Sequence, residues 1–492
     1  MVSSSLAIPT AATTRGELEQ VGNSGTTAWN SRSSQLIQEG HPMKPTLILT
    51  TVLLLSQSIA ICCVTSVAAK DPITTPAEVQ VTGAWTVSVT VPGPDAVAAE
   101  LTIPGPEIVT VTHEKYDRLP DFDAKTKAGW RKGVRFKGVV AAECTVEGLL
   151  DPASVVVQAG LEPEAMTFRK GIDYDADLVA GTIGRLPQGA IAPDQPVYID
   201  YQYTKQRIDS VVLDGKGRIV LKTGTPHTVM PEPPTLDAGE TRLANIYLPA
   251  RLDALTEDHL FPILETAYPE PPANGSSIAE RLLPKSLNKL QSGEPLRILV
   301  WGDSVSTFNR YQTMFVERLK SRYPNAKIEL VTEAWGGRNT GSYLSEPPGS
   351  EHNYQEKVLN RKPDLIVSEF VNDSGLSETQ VEERYGKILA DFREIGAEWI
   401  ILTPHYIRPS WMGFSNQQNI DDDPRGYVKG VRAFAQQNQI AVAEGSLRYG
   451  RLWRQGIPYI TLMENNINHP NVDGHRIFAD SLMALFPIVR RK

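Results

Sequence analysis

The chain has 492 residues, of which 41% are hydrophobic and 22% are charged. This composition is typical of a soluble globular protein, and the length exceeds that of one ordinary domain, so we predict two domains and a leader. The formal net charge of −8 is spread along the chain without a basic block. A nucleic-acid partner is therefore not expected.

The residues up to position 69 are predicted to lie outside the mature protein. Residues 1–42 are rich in Ser, Thr, Asn and Gln, which indicates a disordered or untranslated leader. Residues 43–69 contain Lys44, an apolar stretch from Leu47 to Val64 and small residues before Lys70, which is the pattern of a secretory signal peptide. Because Thr, Ser and Gln interrupt the apolar stretch, we expect a secreted or periplasmic protein without a stable membrane anchor after cleavage.

Residues 70–230 have the pattern of β-strands. Apolar residues alternate with polar ones around Val87 and Val89, and again from Val197 to Tyr203. Turn signals that predict hairpins stand at Asp214-Gly215, Pro92-Gly93 and Pro104-Gly105. We therefore predict an all-β, sandwich-like accessory domain, followed by a semi-rigid, Pro-rich linker over residues 231–295.

Strands and helices alternate from residue 296 to residue 492. Strand-like segments are Ile298–Trp301, Ile328–Val331, Leu365–Phe370, Trp399–Thr403 and Ile440–Val442. Helical segments lie between them near Tyr311–Tyr323, Ser377–Gly396 and Gly426–Gln437, with a last one from about Asp473 to Phe486. This order requires crossover connections and predicts a three-layer α/β/α domain with a mostly parallel sheet.

The first strand of this domain leads directly into Gly302-Asp303-Ser304. Open α/β sheets bind ligands at the carboxyl ends of their strands, so Ser304 is a candidate nucleophile at the tip of a tight turn. A serine hydroxyl needs a base to remove its proton. His469, in the loop before the last helix, is the preferred base, since His475 lies inside that helix.

A tetrahedral intermediate also needs hydrogen-bond donors for its oxyanion. Gly337 follows the second strand, where a glycine lets a backbone N–H approach the substrate closely, and Asn372 follows the third strand and adds an amide donor. Each motif alone is equally compatible with an ordinary turn. Together with the Ser304 N–H, these groups form a candidate oxyanion hole.

In this order, the four blocks resemble the SGNH hydrolases, the GDSL-type esterase family, over residues from about 296 to 492. The resemblance implies a carboxylic ester hydrolase with Ser304 as nucleophile and His469 as base. It also implies an oxyanion hole of Ser304, Gly337 and Asn372, and no cofactor and no metal. The segments that are most similar to the branch that deacetylates plant-type polysaccharides are Gly337–Tyr343 and Glu369–Asp373.

One position departs from the family pattern, which usually has Asp three residues before the histidine. Asn466 stands there, and its carbonyl can orient the imidazole but cannot balance an imidazolium charge. Glu464, Asp473 or a backbone carbonyl could also orient His469. We favour Asn466 or a carbonyl because the spacing is the family's own.

The expected substrate is an acylated small molecule or polysaccharide, with O-acetyl groups on a carbohydrate preferred because the chain adds a β domain and a signal peptide. Candidate substrate-binding residues are Arg338, His405 and Trp411, although a structural role fits His405 equally well. The alternatives are a lipase or thioesterase of the same family and a non-catalytic carbohydrate-binding protein on the same fold.

Overall fold

The computed structural model describes residues 76–270, 275–420 and 422–487. The predicted leader and signal peptide, residues 1–42 and 43–69, lie outside the described residues. The region up to Pro262 consists mostly of antiparallel strands: β1 (Glu78–Gly83), β2 (Thr86–Val91), β3 (Val97–Thr102), β4 (Ile108–Tyr116), β5 (Val134–Arg135), β6 (Val140–Ala141), β7 (Cys144–Thr145), β8 (Val156–Gln158), β9 (Thr167–Phe168), β10 (Tyr174–Asp177), β11 (Thr182–Arg185), β12 (Val197–Thr204), β13 (Arg207–Leu213), β14 (Ile219–Lys222), β15 (Thr241–Leu248) and β16 (Leu260–Pro262).

These strands enclose two small hydrophobic cores. The three-stranded sheet β1-β2-β3 and the four-stranded sheet β14-β13-β15-β16 share one core, to which Val87, Val211 and Ile246 contribute. The sheets β4-β12-β8-β9 and β10-β11-β5 surround the other, which includes Ile183 and Ile199. The prediction of an all-β region is confirmed, because the strands pair antiparallel and their buried apolar residues form these cores.

The turn signals were correct at two of three positions. Pro92-Gly93 lies between the paired strands β2 and β3, and Asp214-Gly215 lies between β13 and β14. Pro104-Gly105 instead leads from β3 to β4, which belongs to a different sheet.

The structure corrects the prediction of a linker over residues 231–295. Strand β15 lies between β13 and β16 in the four-stranded sheet, and most of its residues are buried. The prolines at 231–234 precede this strand, and Thr241–Leu248 contains none, so every residue of the strand keeps its N–H donor. The high average Pro content of residues 231–295 therefore predicted a linker, although the segment contains a buried strand.

The C-terminal region contains a five-stranded parallel sheet in the order β18-β17-β19-β20-β21, formed by β17 (Pro295–Gly302), β18 (Lys327–Ala334), β19 (Leu365–Glu369), β20 (Glu398–Leu402) and β21 (Ala441–Ala443). Its helices are α1 (Ile278–Leu282), α2 (Pro284–Ser292), α3 (Arg310–Arg322), α4 (Thr340–Ser345), α5 (Tyr354–Lys357), α6 (Glu378–Glu394), α7 (Gly426–Asn438), α8 (Gly445–Gly450) and α9 (Val472–Met483). None of the helices in the described part of the chain is long and apolar enough to cross a membrane.

Helices cover both faces of this sheet. Ile298 and Val300 of β17 face the core that includes α3 and α9, whereas Leu299 and Trp301 face the core that includes α6 and α7. All five predicted strands of this domain are present, and the α/β/α prediction is confirmed.

The two regions share one β-sheet, the four-stranded sheet β14-β13-β15-β16, which is called the shared wall below. Ile208, Tyr247 and Phe261, on β13, β15 and β16, belong to the hydrophobic core of the parallel-sheet domain. Val211 and Ile246 of the same sheet face the β core instead. Both regions lie in one compact unit. The β region is therefore packed onto the α/β domain rather than tethered to it.

Replacing Phe261, which is 1% exposed, should test this shared wall. We expect Phe261→Ala to lower the free energy of unfolding by about 3–5 kcal/mol, because the ring leaves a cavity that both regions border. Denaturant titration followed by tryptophan fluorescence should still show one transition. Met166→Ala, which removes a side chain that is 55% exposed, serves as the control with little effect. Two separate transitions, only one of them shifted, would contradict the shared wall.

Candidate active site

The candidate nucleophile lies where β17 ends. Asp303 is fully buried, and its carboxylate accepts hydrogen bonds from the N–H of Val305 at 3.1 Å and of Asn372 at 2.9 Å. Gly302 precedes it, and a Cβ there would lie 2.8 Å from the carbonyl oxygen of Glu369. A short 3₁₀ helix begins at Ser304, so the chain turns sharply and leaves the hydroxyl at the sheet edge.

The imidazole of His469 faces this hydroxyl. Its Nε2 lies 3.1 Å from Oγ of Ser304. The loop that carries it is fixed by the side chain of Asn465, whose Oδ1 accepts hydrogen bonds from the backbone N–H groups of Ile467, Asn468 and His469 at 2.8–3.0 Å. The sequence predicted the pair of Ser304 and His469, and the structure brings them to hydrogen-bond distance.

The candidate oxyanion donors lie along the same edge. Nδ2 of Asn372 is buried and has no hydrogen-bond partner among the described residues, while its backbone N–H is held by Asp303. Gly337 has φ of 72°, in the left-handed region, and space for a Cβ, so its conformation rather than crowding calls for glycine. A Cβ on neighbouring Gly336 would lie 3.8 Å from Cβ of Ser304, which places this turn beside the nucleophile.

The group that faces the other ring nitrogen differs from the prediction. Nδ1 of His469 lies 3.0 Å from Oε1 of Glu143, which belongs to the β region. Asn466, the predicted group, has φ of 55°, and its carbonyl oxygen accepts a hydrogen bond from Nε of Arg408 at 3.2 Å. Asn466 therefore adopts a left-handed backbone conformation within the loop. The carboxylate next to Nδ1 of His469 belongs to Glu143, which lies outside this loop.

The other predicted groups are also paired elsewhere. Glu464 forms an ion pair of 2.6 Å with Arg310, and Asp473 pairs with Arg476 on the same helix. Glu143 was missed because it stands alone between two short strands, without a spacing signal that relates it to the histidine.

The C-terminal region is similar to proteins of known family. A family model described as the GDSL-like Lipase/Acylhydrolase family matches residues 299–477. Residues 299–477 form a GDSL-like acylhydrolase domain. This domain supports the assignment of residues 299–477 as an SGNH-type carboxylic ester hydrolase domain. No curated protein matches the chain.

Several solved structures are similar to the chain at low identity. A putative GDSL-like lipase from Parabacteroides merdae is 14% identical, with 38% of this chain and 94% of that chain covered and a TM-score of 0.29. A carbohydrate esterase family 3 protein from Talaromyces cellulolyticus is 15% identical, with 38% and 93% covered and a TM-score of 0.29. The YXIM protein from Bacillus subtilis is 13% identical, with 75% and 87% covered and a TM-score of 0.32. At these values the similarity adds nothing to the family assignment.

The structure corrects the prediction that His405 binds substrate. Its side chain is fully buried, and its Nε2 donates a hydrogen bond of 2.8 Å to the carbonyl oxygen of Asn468. Burial, reinforced by the positive charge of Arg425, holds its pKa well below the ordinary value. His405 therefore stabilises the loop of residues 465–469, called the histidine loop below. Its buried side chain cannot contact a substrate.

Trp411 and Arg338 remain at the surface of the GDSL-like domain. Trp411 is 53% exposed, and its ring lies 5.9 Å from that of Trp130 in the β region. The guanidinium of Arg408 lies within 6.0 Å of both rings. Arg338 is exposed and lies 5.1 Å from the ring of Trp335. The two tryptophans thus form an aromatic surface to which both regions contribute.

Three buried acids lie behind the nucleophile. Burial raises the pKa of Asp303 to about 7, against the effect of its two backbone N–H donors. Burial, and then the negative charge of Asp303, raise the pKa of Glu369 well above its usual range, and neither of its carboxyl oxygens has a hydrogen-bond partner among the described residues. Asp373 instead contacts Thr340 at 2.7 Å and Arg384 at 3.2 Å. Burial therefore favours the neutral form of Glu369, whereas the burial that raises the pKa of Asp373 is opposed by its contacts with Thr340 and Arg384.

His475 illustrates why the second histidine of the GDSL-like domain is not the base. It is fully buried and stacks on Tyr311 with ring centroids 5.9 Å apart. Burial lowers its pKa to about 3 from 6.5, with smaller contributions from Arg310 and His469. It stays neutral at every pH at which an esterase works.

His475→Leu should flatten the acid dependence of stability. Between pH 6.5 and about 3 the unfolded wild-type chain binds a proton at this residue that the folded protein does not. Stability from this group is therefore complete above pH 6.5 and falls by about 1.4 kcal/mol per pH unit below it. Urea titrations from pH 7 to pH 4 should show a smaller slope for the variant than for wild type. Equal slopes would show that His475 titrates normally in the folded protein.

Proposed function

We propose that the protein is a secreted serine esterase that removes O-acyl groups, with acetyl preferred, from a carbohydrate. The observation that carries the proposal is the distance of 3.1 Å between Oγ of Ser304 and Nε2 of His469. It is supported by the side-chain Nδ2 of Asn372 at the same sheet edge, which has no hydrogen-bond partner among the described residues. Secretion is supported by the apolar stretch from Leu47 to Val64 and the small residues that follow it.

In the first half of the reaction, Ser304 attacks the ester carbonyl. Its hydroxyl proton moves to Nε2 of His469 as the new C–O bond forms. The carbonyl oxygen becomes an oxyanion, for which the N–H groups of Ser304 and Gly337 and the Nδ2 of Asn372 are the donors. Collapse breaks the ester C–O bond, and the leaving alcohol takes the proton from Nε2, so an acyl-serine remains.

In the second half, water replaces the alcohol. His469 accepts a proton from the water as its oxygen attacks the acyl carbon, and the same donors hold the second oxyanion. The bond to Oγ then breaks, and Ser304 regains its proton from Nε2. Both halves use the same short proton path.

The preference for a carbohydrate rests on the surface beside the site. Trp411 and Trp130 present large rings that combine apolar faces with polar edges, which suits the C–H face and the hydroxyls of a sugar. The exposed Arg338 adds a cation on the Gly337 turn. These features favour a polar, extended substrate over the fatty acyl chain of a lipase or thioesterase substrate.

Replacing the nucleophile tests the proposed reaction. We expect hydrolysis of p-nitrophenyl acetate and acetate release from acetylated glycans by wild type, and loss of both in Ser304→Ala, because the acyl-enzyme forms on the hydroxyl that this variant removes. Asn372→Ala should lower kcat by about 100- to 1,000-fold with little change in KM, as expected for an oxyanion donor. Glycan binding without hydrolysis by wild type would instead favour the non-catalytic alternative.

Replacing Trp411 tests the proposed substrate class. Trp411→Ala should raise KM for an acetylated polysaccharide by about 10-fold, because stacking of a ring of this size contributes about 1–1.5 kcal/mol. The same variant should hydrolyse p-nitrophenyl acetate at the wild-type rate. Met166→Ala, at a similarly exposed apolar position of the β region, is the control. An unchanged KM for every acetylated glycan would refute carbohydrate binding at this surface.

A further inference from the structure

We infer that Glu143 of the β region is the acid of the catalytic triad, a positioning residue that acts through His469; this inference rests on the proposed esterase function. A triad acid accepts the Nδ1 proton of the histidine, fixes the tautomer in which Nε2 is free, and stabilises the imidazolium that forms during attack. The acylhydrolase domain would then be catalytically incomplete without the β region.

The contacts of Glu143 are those of a triad acid. Its Oε1 lies 3.0 Å from Nδ1 of His469, on the side of the ring opposite Ser304. The same oxygen accepts a hydrogen bond of 2.8 Å from Nδ2 of Asn465. Because Asn465 also fixes the backbone of the histidine loop, the acid and the base are held by one side chain.

The hairpin that carries Glu143 aims the carboxylate. Strands β6 and β7 pair with Val140 opposite Thr145 and Ala141 opposite Cys144, which leaves Ala142 and Glu143 as a two-residue turn. Ala142 has φ of 48°, as such turns require. Arg135 donates a hydrogen bond of 3.2 Å to the carbonyl oxygen of Ala142.

The base of the hairpin is attached to the GDSL-like domain. Arg408 pairs with Glu147 and donates a hydrogen bond of 3.4 Å to the carbonyl oxygen of Thr145. The same arginine contacts the carbonyl of Asn466 in the histidine loop. One cation thus connects the strand that follows Glu143 to the loop that carries His469.

The charge of Glu143 also suits the role. Its hydrogen bond with His469 is the largest effect on its pKa, and with the hydrogen bond from Asn465 it lowers that pKa to about 2 despite partial burial. Glu143 is therefore ionised wherever the esterase works. During attack the proton from Oγ moves to Nε2, the Nδ1 proton stays on the imidazolium, and Glu143 stays a carboxylate.

Removing the charge of Glu143 is the decisive experiment. Replacing the acid of a serine-protease triad by its amide lowers kcat about 10,000-fold. Because the side chain of Glu143 is 51% exposed, water can partly replace it, so we expect about a 100-fold lower kcat for Glu143→Gln on p-nitrophenyl acetate. KM should stay within about threefold, since the acid does not touch the substrate. Glu143→Asp should recover part of the loss, and formate should restore activity to Glu143→Ala.

Glu147→Gln is the matched control. It removes a carboxylate from the same segment and breaks the pair with Arg408, but leaves the contact with His469 in place. Its kcat on p-nitrophenyl acetate should stay near wild type. An equal loss in Glu147→Gln would assign the effect to the interface and overturn the proposal, as would a Glu143→Gln kcat within about threefold of wild type.

A measurement without turnover separates this inference from the proposed function. Wild type should show a downfield proton NMR signal from an imidazole N–H bonded to a carboxylate, and this signal should be absent in both His469→Gln and Glu143→Gln. If wild type hydrolyses no ester but the signal behaves in this way, the proposed function fails and the Glu143–His469 pair stands. A signal that persists in Glu143→Gln overturns the pair, whatever the activity.

Discussion

A serine hydroxyl attacks an ester only if its proton can leave, so the reaction depends on an imidazole held at a fixed distance from the hydroxyl. Here the side chain of Asn465 meets that requirement. Its Oδ1 accepts three backbone N–H groups of the loop that carries His469, and its Nδ2 donates to Glu143 at 2.8 Å. The buried His405 also donates a hydrogen bond to the carbonyl oxygen of Asn468 in the same loop. The ring is thus fixed through its loop before any substrate arrives, which is the meaning of preorganisation at this site.

The carboxylate of Asp303 plays a corresponding part for Ser304 and Asn372. It accepts one N–H from the turn of the nucleophile and one from Asn372, so a single group sets the spacing between Ser304 and an oxyanion donor. As a consequence, the buried carboxyl group of Asp303 lies close to the proposed oxyanion hole, where negative charge develops during the reaction. Burial, and then Asp303, raise the pKa of Glu369, whose carboxyl oxygens have no hydrogen-bond partner among the described residues, and this favours its neutral form near the oxyanion.

Local patterns were sufficient for most of the fold and half of the site. Hydrophobic runs predicted every strand of the parallel sheet, and the helical segment predicted near Ser377–Gly396 corresponds to α6, because these elements are set by neighbours in the sequence. Ser304, Gly337 and Asn372 follow consecutive strands, so the topology of a parallel sheet alone brings them to one edge. Burial was harder to predict. A loop histidine such as His405 has the same sequence signature whether its side chain is exposed or fully enclosed.

The two larger errors of the sequence analysis have one physical cause. Glu143 and Asn465 are 322 residues apart in the sequence but form a hydrogen bond, and the same carboxylate contacts the imidazole of His469. Only a rigid junction between the two regions can hold the carboxylate in this position. The semi-rigid linker predicted over residues 231–295 does not provide such a junction, and the spacing of the family pattern pointed only to residues around Asn466. Strands β15 and β16 replace that linker by a wall whose two faces lie in two cores. Once that wall exists, an acid need not lie within the α/β domain, and the aspartate three residues before the histidine can be lost without loss of a carboxylate at Nδ1.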